Sequence, residues 1–404
     1  MDFHFSPEED AFRREVREYI RAHLPEGIRR KMIAGRPLTR DELVSWQRIL
    51  NRRRWATPSW PQDWGGPGWN ITQRYIFLDE LYQAPAPEPL SFNVAMLGPV
   101  LIRFGTQAQK EHFLPRIANL DDFWCQGFSE PGAGSDLASL KTSARREGDH
   151  YIVNGQKTWQ GQGHKANWMF TLVRTDASVK KQAGISFLLI DMNTPGISVR
   201  PIITLDGYHE VNEVFLDNVK VPVANLVGAE NKGWDVAKFL LGNERTNIAR
   251  VGISKDRIRR VKQLAAQVPV GDHTLLDEPQ FREKVAAVEV ELKALEITQL
   301  RVLAGQAKNR DGAPDPASSI LKIKGSELRQ TTAELLLEVA GPLAARHAPF
   351  DEEHGIELEQ QELLAELEWT AAIAPSYFTL RAATIYGGAS EVQKNIIAKT
   401  ILGL

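Results

Sequence analysis

One acidic residue, Glu244, interrupts a run of apolar positions that have the spacing of a helix. Apolar residues recur at alternating spacings of three and four, as on a buried helix face, at Trp234, Ala237, Leu241, Ile248 and Val251. Glu244 falls where this series predicts another buried hydrophobic residue. Burial raises the pKa of a carboxyl group, so a buried glutamate can accept a proton near neutral pH. Taken alone, the segment favours a simpler alternative, in which Glu244 lies at the edge of the apolar face and pairs with Arg245, Arg250 or a lysine.

A glycine-rich segment upstream could bind a ligand through its backbone. In residues 127–136 (GFSEPGAGSD), Gly132 and Gly134 flank Ala133, which lets the chain approach a ligand closely and offer N–H groups to oxygen acceptors. On their own, such loops are mostly turns. This segment, however, resembles the flavin and substrate loop of the acyl-CoA dehydrogenase family. Residues 154–159 (NGQKTW) resemble that family's tryptophan strand, and residues 385–397 (IYGGASEVQKNII) resemble its C-terminal signature. Three motifs in the family's order argue strongly against a chance resemblance.

The resemblance covers essentially the whole chain and implies FAD, bound between a β domain and the C-terminal helices. It implies that Ser129 hydrogen-bonds the flavin ring, that Ser135 lies near the flavin and the CoA chain, and that Trp159 covers one side of the isoalloxazine. For Trp159 the alternative is a buried core aromatic, the usual place of a tryptophan. The same motifs imply further cofactor-binding positions at Phe128, Gly134, Gly161, Gly388, Ala389 and Glu391.

The implied reaction is α,β-dehydrogenation of an acyl-CoA thioester to the trans-2-enoyl-CoA. It needs a base for the α-proton on one side of the acyl chain and flavin N5 for the β-hydride on the other. In the family, the ribityl hydroxyl of FAD and a backbone N–H, here that of Gly387, polarise the thioester oxygen. Most members carry their glutamate base at this same position. This chain has no side chain there.

A subset of the family takes the base from the helix after the β domain, at the residue before a helical arginine. Glu244 and Arg245 match that arrangement. The resemblance and the apolar pattern therefore select the same glutamate independently. We expect Glu244 to be the base and Arg245 to support it, with a structural ion pair as the alternative role of Arg245.

The chain lacks two motifs through which family homotetramers contact a neighbouring subunit's FAD. Residues 263–271 (QLAAQVPVG) and 338–343 (EVAGPL) do not resemble the family's Arg-x-x-Phe-Gly and Gln-x-x-Gly-Gly-x-Gly motifs. A smaller, unlike subunit that supplies these contacts would explain the loss and predicts an α2β2 heterotetramer. The chain thus resembles the large subunits of heteromeric bacterial enzymes that act on pimeloyl-CoA or on CoA-activated steroid side chains. Either type of acyl group is compatible with the sequence.

The family resemblance implies that an electron-transferring flavoprotein accepts the electrons, and two alternatives stay open. One is an acyl-CoA oxidase on the same fold. The other is a non-catalytic subunit that only completes a partner's flavin site, which Gly387 favours and Glu244 opposes. A further departure is Gly161, where the family usually has Ser or Thr near flavin N5. Gln160, Gln162 or His164 could compensate, although a solvent-facing loop is the simpler expectation for the histidine.

The composition agrees with an enzyme of this kind and excludes several other classes of protein. The 404 residues, 43% hydrophobic and 25% charged, are enough for two or three globular domains. A net charge of −2 lacks the basic surplus of nucleic-acid binders. Nine histidines and one cysteine show no metal-ligand spacing, and Cys125 alone cannot form an internal disulfide. Because residues 1–10 lack a signal-peptide pattern and no apolar run has membrane-spanning length, we expect a soluble, cytoplasmic protein.

The sequence predicts three consecutive blocks, first helical, then β and then helical again, which would position these residues. Ser6 is predicted to cap a helix through about Leu24, and Thr39 to begin a capping box for a second helix. From about residue 123 the period becomes that of strands, predicted at 140–144, 151–153, 168–174, 185–190, 197–203 and 213–219, with a turn at Asn154-Gly155. Helices return at 234–265, 279–308, 318–340 and 389–402, with excursions at 268–278 and 348–360.

These blocks predict a mainly α protein with a central β domain. By resemblance this is the acyl-CoA dehydrogenase fold. The expected domains are an N-terminal helical domain at 1–121, a middle β-barrel-like domain at 122–231 and a C-terminal helical domain, a four-helix bundle, at 232–404.

Overall fold

The computed structural model describes residues 5–244, 249–308, 315–345 and 368–404, without the side chains of residues 243, 244, 306–308, 368 and 371. The chain forms two compact units. We call one the helical unit; it comprises Met1–Glu42, Trp69–Glu88 and Arg245–Leu404. The other, the sheet unit, comprises Leu43–Gly68 and Pro89–Glu244.

The α-helices and β-strands follow the predicted order of a helical block, a β block and a second helical block. Helices α1 to α6 are Pro7–His23, Glu26–Ala34, Arg40–Asn51, Ile71–Gln83, Gly98–Phe104 and Gln107–Ala118. Strands β1 to β8 are Trp124–Gly127, Ser143–Glu147, His150–Gly161, Trp168–Arg174, Ile185–Asp191, Ile197–Ile203, His209–Pro222 and Leu226–Val227, and the short β9 and β10 are Pro269–Val270 and His273–Thr274. Helices α7 to α13 are Gly233–Glu244, Val251–Ala265, Pro279–Lys308, Ser318–Ala340, Glu368–Ala371, Ile373–Thr379 and Ser390–Ile397. Within the part of the chain that the structure describes, no helix combines the length and apolar character needed to cross a membrane.

An eight-stranded sheet forms the centre of the sheet unit. Its order is β6-β7-β3-β2-β4-β5-β8, and β1 pairs in parallel with β4. Alternate residues of β4 enter two cores: Met169 and Val173 pack with other strands, whereas Phe170 and Leu172 pack with apolar residues of α5, α6 and α7. Burial on both faces explains why β4 and β5 are continuous apolar runs and do not alternate with polar residues.

The helical unit is held by an apolar core and by buried ion pairs. Apolar residues of α8, α9 and α10 form the core, among them Ile258, Leu292, Leu321 and Leu328. α1 packs against α4. Arg13 Nη1 lies 2.9 Å from Asp79 and 2.8 Å from Glu80, and both carboxylates are buried.

Predictions that rest on local signals are confirmed. Ser6 Oγ accepts a hydrogen bond from Glu9 N–H while Glu9 accepts one from Ser6 N–H, and Thr39 and Glu42 form the same reciprocal pair. The bounds of α9 and α10 are those predicted. Residues 268–278 leave the helical pattern as a two-stranded hairpin of β9 and β10. The second predicted excursion, 348–360, lies outside the described residues.

Two strand predictions are wrong in detail. The strand predicted at 140–144 begins only at Ser143, because Leu137–Ser139 forms a 3-10 turn. Asn154-Gly155 is not a turn but lies inside β3, where the pairing with β7 shifts register between Val153 and Gly155. A Cβ on Gly155 would lie 2.5 Å from Thr142 Oγ1, so glycine is needed where β3 passes the residue before β2.

The single helix predicted at 234–265 is also wrong, because residues 249 and 250 are not helical and α8 begins at Val251. Arg250 has a left-handed φ of 44°, which a continuing α-helix does not allow. At this break α10 comes very close: a Cβ on Gly325 would lie 2.5 Å from Ala249 Cα. The break therefore lets two backbones of the helical unit touch.

Candidate active site

The glycine loop, residues 127–136, follows β1 and is anchored at both ends. Phe128 is buried, with its ring 5.9 Å from the ring of Phe170 and 6.3 Å from that of Phe187. The Thr158 N–H donates a 2.9 Å hydrogen bond to the Ser129 carbonyl. Two reciprocal backbone hydrogen bonds between Glu130 and Ala133 close a tight turn. The loop is therefore held by β3 and by the core, while Gly134 and Ser135 at its tip are exposed.

A buried ion pair underlies the glycine loop. Lys157 on β3 is fully buried, and its Nζ donates to Glu130 Oε1 at 2.9 Å, to the Phe128 carbonyl at 3.2 Å and to the Leu172 carbonyl at 2.8 Å. Glu130 also accepts hydrogen bonds from the N–H groups of residues 141 and 142, at 2.6 and 2.9 Å. One lysine thus fixes the residues on both sides of Ser129.

The pKa values of this pair show the balance between burial and mutual attraction. Burial lowers the pKa of Lys157 to about 8, although the charge of Glu130 opposes the shift. Burial alone would raise the pKa of Glu130, but the charge of Lys157 and the hydrogen bonds outweigh it, so this pKa is lowered. Both groups are therefore charged at pH 7, and each depends on the other for compensation.

Trp159 is presented to the surface by a backbone irregularity. The register between β3 and β7 shifts between Lys157 and Gln160, and Trp159 has a φ of 64°. Its neighbours Thr158 and Gln160 are buried, whereas Trp159 is 61% exposed. The alternative prediction, a core aromatic, is therefore wrong. The left-handed φ therefore presents a large aromatic side chain to the surface.

Gly161 is explained by Phe92, which begins a π-helical turn at Phe92–Leu97. A Cβ on Gly161 would lie 3.1 and 3.2 Å from two atoms of the Phe92 ring. The aromatic ring therefore occupies the space into which a Ser or Thr side chain would extend.

The three residues proposed to compensate for Gly161 are polar groups at the end of β3. Gln160 is 1% exposed, and neither atom of its side-chain amide has a hydrogen-bond partner among the described residues. The Gln162 side-chain oxygen is likewise buried without one in the described part of the chain. The simpler expectation, that His164 faces solvent, is wrong, because its ring stacks on that of His209 with centroids 4.0 Å apart.

The sheet-unit residues fit a flavin ring. An exposed indole beside a half-buried serine suits a ligand that is flat, aromatic and edged with hydrogen-bonding atoms. The Ser129 hydroxyl makes no hydrogen bond to any residue that the structure describes, and a Cβ on Gly134 would meet nothing within 4 Å. The loop tip therefore has room and an uncommitted donor for such a ligand.

Glu244 lies in α7 and is the last residue of that helix that the structure describes. The buried positions that are described in this helix are Gly233, Val236, Ala237, Leu240 and Gly242. Of the predicted stripe on this helix, Ala237 is fully buried, whereas Trp234 and Leu241 pack against the core of the sheet unit and are only partly buried. Position 244 nevertheless follows Leu240 by four residues and Ala237 by seven, so helix geometry places its Cα on the buried face. The Glu244 side chain and Arg245 lie outside the described residues. Arg250, one of the partners considered for Glu244, forms an ion pair with Glu88.

In the helical unit, the C-terminal signature forms a tight turn before α13. Gly387 has a φ of 65° and Gly388 a φ of 91°, values that favour glycine. The Gln393 amide donates to the carbonyls of both glycines at 3.4 and 3.5 Å, and a Cβ on Gly388 would lie 2.3 Å from that nitrogen. Ala389 precedes the first residue of α13, and Glu391 is exposed in its first turn.

The three sequence blocks match one family of enzymes. Residues 6–121, 125–219 and 231–402 match the N-terminal, middle and C-terminal domains of acyl-CoA dehydrogenase. Acyl-CoA dehydrogenase IpdE1 of Mycobacterium tuberculosis is 34% identical over 403 residues, which cover 98% of this chain and 97% of that protein. The chain belongs to the acyl-CoA dehydrogenase family. Acyl-CoA dehydrogenase FadE26 of the same organism is 32% identical over 416 residues, covering 100% and 99% of the two chains.

Solved structures confirm the predicted acyl-CoA dehydrogenase fold. The ChsE4–ChsE5 complex of M. tuberculosis contains a chain that is 31% identical, with a TM-score of 0.83 and coverage of 100% of this chain and 99% of that one. The Tcur3481–Tcur3483 steroid acyl-CoA dehydrogenase gives 27% identity and the same TM-score and coverage. The resemblance to heteromeric enzymes of the steroid type is thus confirmed, and FAD is the cofactor of acyl-CoA dehydrogenases.

Sequence reasoning missed two contributors to the sheet-unit site. Phe92 was not singled out, because its contact with Gly161 joins residues far apart in the chain. The Lys157–Glu130 pair was also missed, although Lys157 falls in phase with the inward-facing Tyr151 and Val153 of the same strand. A lysine on the inner face of a strand was the available signal.

Proposed function

We propose that this acyl-CoA dehydrogenase removes the α-proton of an acyl-CoA thioester with Glu244 as the base, giving the trans-2-enoyl-CoA. Gly387 N–H donates a hydrogen bond to the thioester oxygen and so acidifies the α-hydrogen. Ser129, Ser135 and Trp159 hold the cofactor, with Phe128, Gly134, Gly161, Gly388, Ala389 and Glu391 at its margins. FAD, when bound, supplies the acceptor for the β-hydride. Arg245 supports Glu244.

The observation that carries the choice of base is the backbone conformation of Gly387. At a φ of 65° a glutamate would be strained, whereas a backbone N–H needs no side chain. The position can therefore donate a hydrogen bond but is poorly suited to carry the base. Glu244, placed by α7 on its buried face, is the carboxylate that the family resemblance offers instead.

Glu244→Gln tests the base, because glutamine keeps the size of the side chain but cannot accept the proton. We expect FAD to bind normally while the rate of flavin bleaching by substrate falls by roughly a hundredfold to ten-thousandfold. Asp235→Asn is the matched control, since Asp235 is an exposed acid in the first turn of the same helix. Rapid-mixing absorbance at the flavin band measures both variants.

Near-normal bleaching in Glu244→Gln would remove Glu244 as the base. Wild-type protein that reduces oxygen to peroxide without needing another acceptor would instead be an acyl-CoA oxidase. Wild-type protein that binds flavin only with a partner, and shows no loss of activity in Glu244→Gln, would be a non-catalytic subunit.

We further propose that the chain works as the larger subunit of an α2β2 heterotetramer with a smaller family member. The regions where homotetramers carry inter-subunit flavin motifs are here a hairpin around Gly271 and a 3-10 turn, Gly341–Ala345. The ChsE4–ChsE5 relative was solved as a complex, which supports the same arrangement. Analytical ultracentrifugation and the flavin-to-protein absorbance ratio, with and without a co-expressed partner, test it. A homotetramer with one FAD per chain would refute it.

The proposed substrates are CoA thioesters of dicarboxylic acids or steroid side chains, with an electron-transferring flavoprotein as the acceptor. The similarity to a steroid acyl-CoA dehydrogenase supports the steroid type and a role in β-oxidation and steroid degradation. Turnover of a thioester panel with a ferrocenium acceptor, and then with the flavoprotein, tests both points. The cytoplasmic location and the three domain boundaries likewise stay predictions from the sequence.

A further inference from the structure

Arg329 in α10 is a buried cation with an incomplete set of partners. Its side chain is only 9% exposed. Its Nη1 donates a 3.1 Å hydrogen bond to the Tyr386 hydroxyl. Its Nε is buried and has no hydrogen-bond partner among the described residues. A guanidinium normally directs its donors at carboxylates or phosphates.

A second arginine lies against the first. Arg257 in α8 donates from Nη1 to the Arg329 carbonyl at 3.0 Å and to Thr332 Oγ1 at 3.2 Å, both neutral acceptors. Burial of its guanidinium, and then the charge of Arg329, lower the pKa of Arg257 to about 10. Asp256, the next residue in the helix, forms its ion pair with Arg259. The two guanidinium groups therefore repel each other in a partly desolvated place.

No carboxylate of the described residues lies within ion-pair distance of Arg257 or Arg329. Lys255, another inward-facing cation of the helical unit, is compensated, since it lies 2.9 Å from Glu296 and 3.2 Å from Asp79. Two adjacent cations without a counter-ion are costly, because burial removes hydration that a few neutral acceptors replace only in part. An anion that binds there would remove the cost.

The neighbours of Arg329 bear on which anion binds there. Tyr386, whose hydroxyl Arg329 contacts, is 47% exposed and precedes Gly387, the proposed donor to the thioester oxygen. We propose that Arg329, supported by Arg257, binds a carboxylate carried by the acyl group, so that the preferred substrates are acyl-CoA thioesters with a second acidic group. This inference rests on the proposed function and narrows its substrate class.

Matched thioesters test this site. Octanoyl-CoA and suberyl-CoA have the same number of carbons and differ by the terminal carboxylate. The flavin-loaded enzyme, with its partner subunit where the isolated complex contains one, should bind and oxidise suberyl-CoA preferentially. Arg329→Met should reduce that preference by roughly tenfold to a hundredfold, the usual effect of one charge-assisted hydrogen bond. Arg259→Met, an exposed arginine of α8, is the control and should leave the preference unchanged.

Three further measurements separate this role from others. Arg329→Met should melt no lower than wild type, because it removes no ion pair to a described carboxylate, and Arg329→Lys should keep part of the preference. If Arg329→Met weakens the binding of both thioesters and of free CoA by the same factor, the proposal is overturned in favour of CoA-phosphate binding or a structural role. Wild-type binding of the two thioesters with equal affinity, measured by calorimetry, would overturn it too. Tighter binding of suberyl-CoA without any turnover would support the carboxylate site and refute the proposed dehydrogenation.

Discussion

Replacing Lys157 by methionine removes the cation beneath the glycine loop while keeping most of its volume. Glu130 then stays buried without its counter-ion, and the carbonyls of Phe128 and Leu172 lose a donor at 3.2 and 2.8 Å. Breaking a buried ion pair from one side costs about 3–5 kcal/mol. We expect the low part of this range, because Glu130 keeps two backbone N–H donors at 2.6 and 2.9 Å. A loss of this size is a large part of the roughly 5–15 kcal/mol by which typical domains are stable.

The assay combines urea unfolding, followed by circular dichroism, with the flavin-to-protein absorbance ratio. Because Lys157 fixes both neighbours of Ser129, the flavin ratio should fall together with the free energy of unfolding. Lys181→Met is the control, since Lys181 forms an exposed pair with Asp136 at the same loop and should leave both quantities near wild type. If Lys157→Met unfolds at the wild-type urea concentration and keeps its flavin, the ion pair does not hold the loop and the reasoning is wrong.

Three further predictions concern neighbouring positions. Gly161→Thr should lower the free energy of unfolding by about 1–3 kcal/mol and reduce flavin occupancy, because its Cβ would meet the Phe92 ring at 3.1 Å. Adding Phe92→Ala to the same chain should restore part of both. Thermal melts that show no such coupling between the two substitutions would contradict the contact. Gly387→Glu should lower activity, since a φ of 65° costs a side chain roughly 1–3 kcal/mol. Wild-type turnover in this variant would contradict that expectation. Burial lowers the pKa of Lys157 in the folded chain to about 8 from 10.5. Between these pH values the unfolded chain binds the proton more readily, so the contribution of Lys157 to the free energy of unfolding should rise with pH. The difference in unfolding free energy between wild type and Lys157→Met, measured from pH 7 to pH 10, checks the sign.

The parts of the fold that were predicted from the sequence depend on residues close together in the chain. The Ser6 and Thr39 caps each use a partner three residues away, and the long α9 and α10 repeat their apolar positions over many turns. Such signals are complete within one segment, so they need no knowledge of the rest of the protein.

The errors arose where distant segments decide the local structure. Asn154-Gly155 has the composition of a turn, but pairing with β2 and β7 keeps it inside β3, opposite a bulge in β7. The break before Val251 is tied to Gly325, whose lack of a side chain admits the Ala249 backbone. Neither partner can be chosen from the sequence alone, since many glycines in a chain of this length could serve.

The candidate site shows the same division. Family motifs predicted Ser129 and Trp159 as flavin contacts, and the structure shows an exposed tryptophan held beside the serine segment, which agrees with that prediction without testing it. The motifs did not predict what holds these residues. The lysine that supports Ser129 lies 27 positions from its glutamate partner, and the ring that excludes a side chain at Gly161 comes from a different element.

Moving the proposed base from position 387 to position 244 changes which part of the chain must position it. Position 387 belongs to a turn of the helical unit in which the backbone conformation itself favours glycine. Glu244 instead lies in α7, whose buried face packs in the same compact unit as Ser129, Lys157 and Trp159. The proposed base and the proposed flavin contacts Ser129 and Trp159 therefore belong to one compact unit, whereas Gly388, Ala389 and Glu391 belong to the helical unit. Position 387 is then left with the single task for which a left-handed glycine is well suited, the presentation of a backbone N–H.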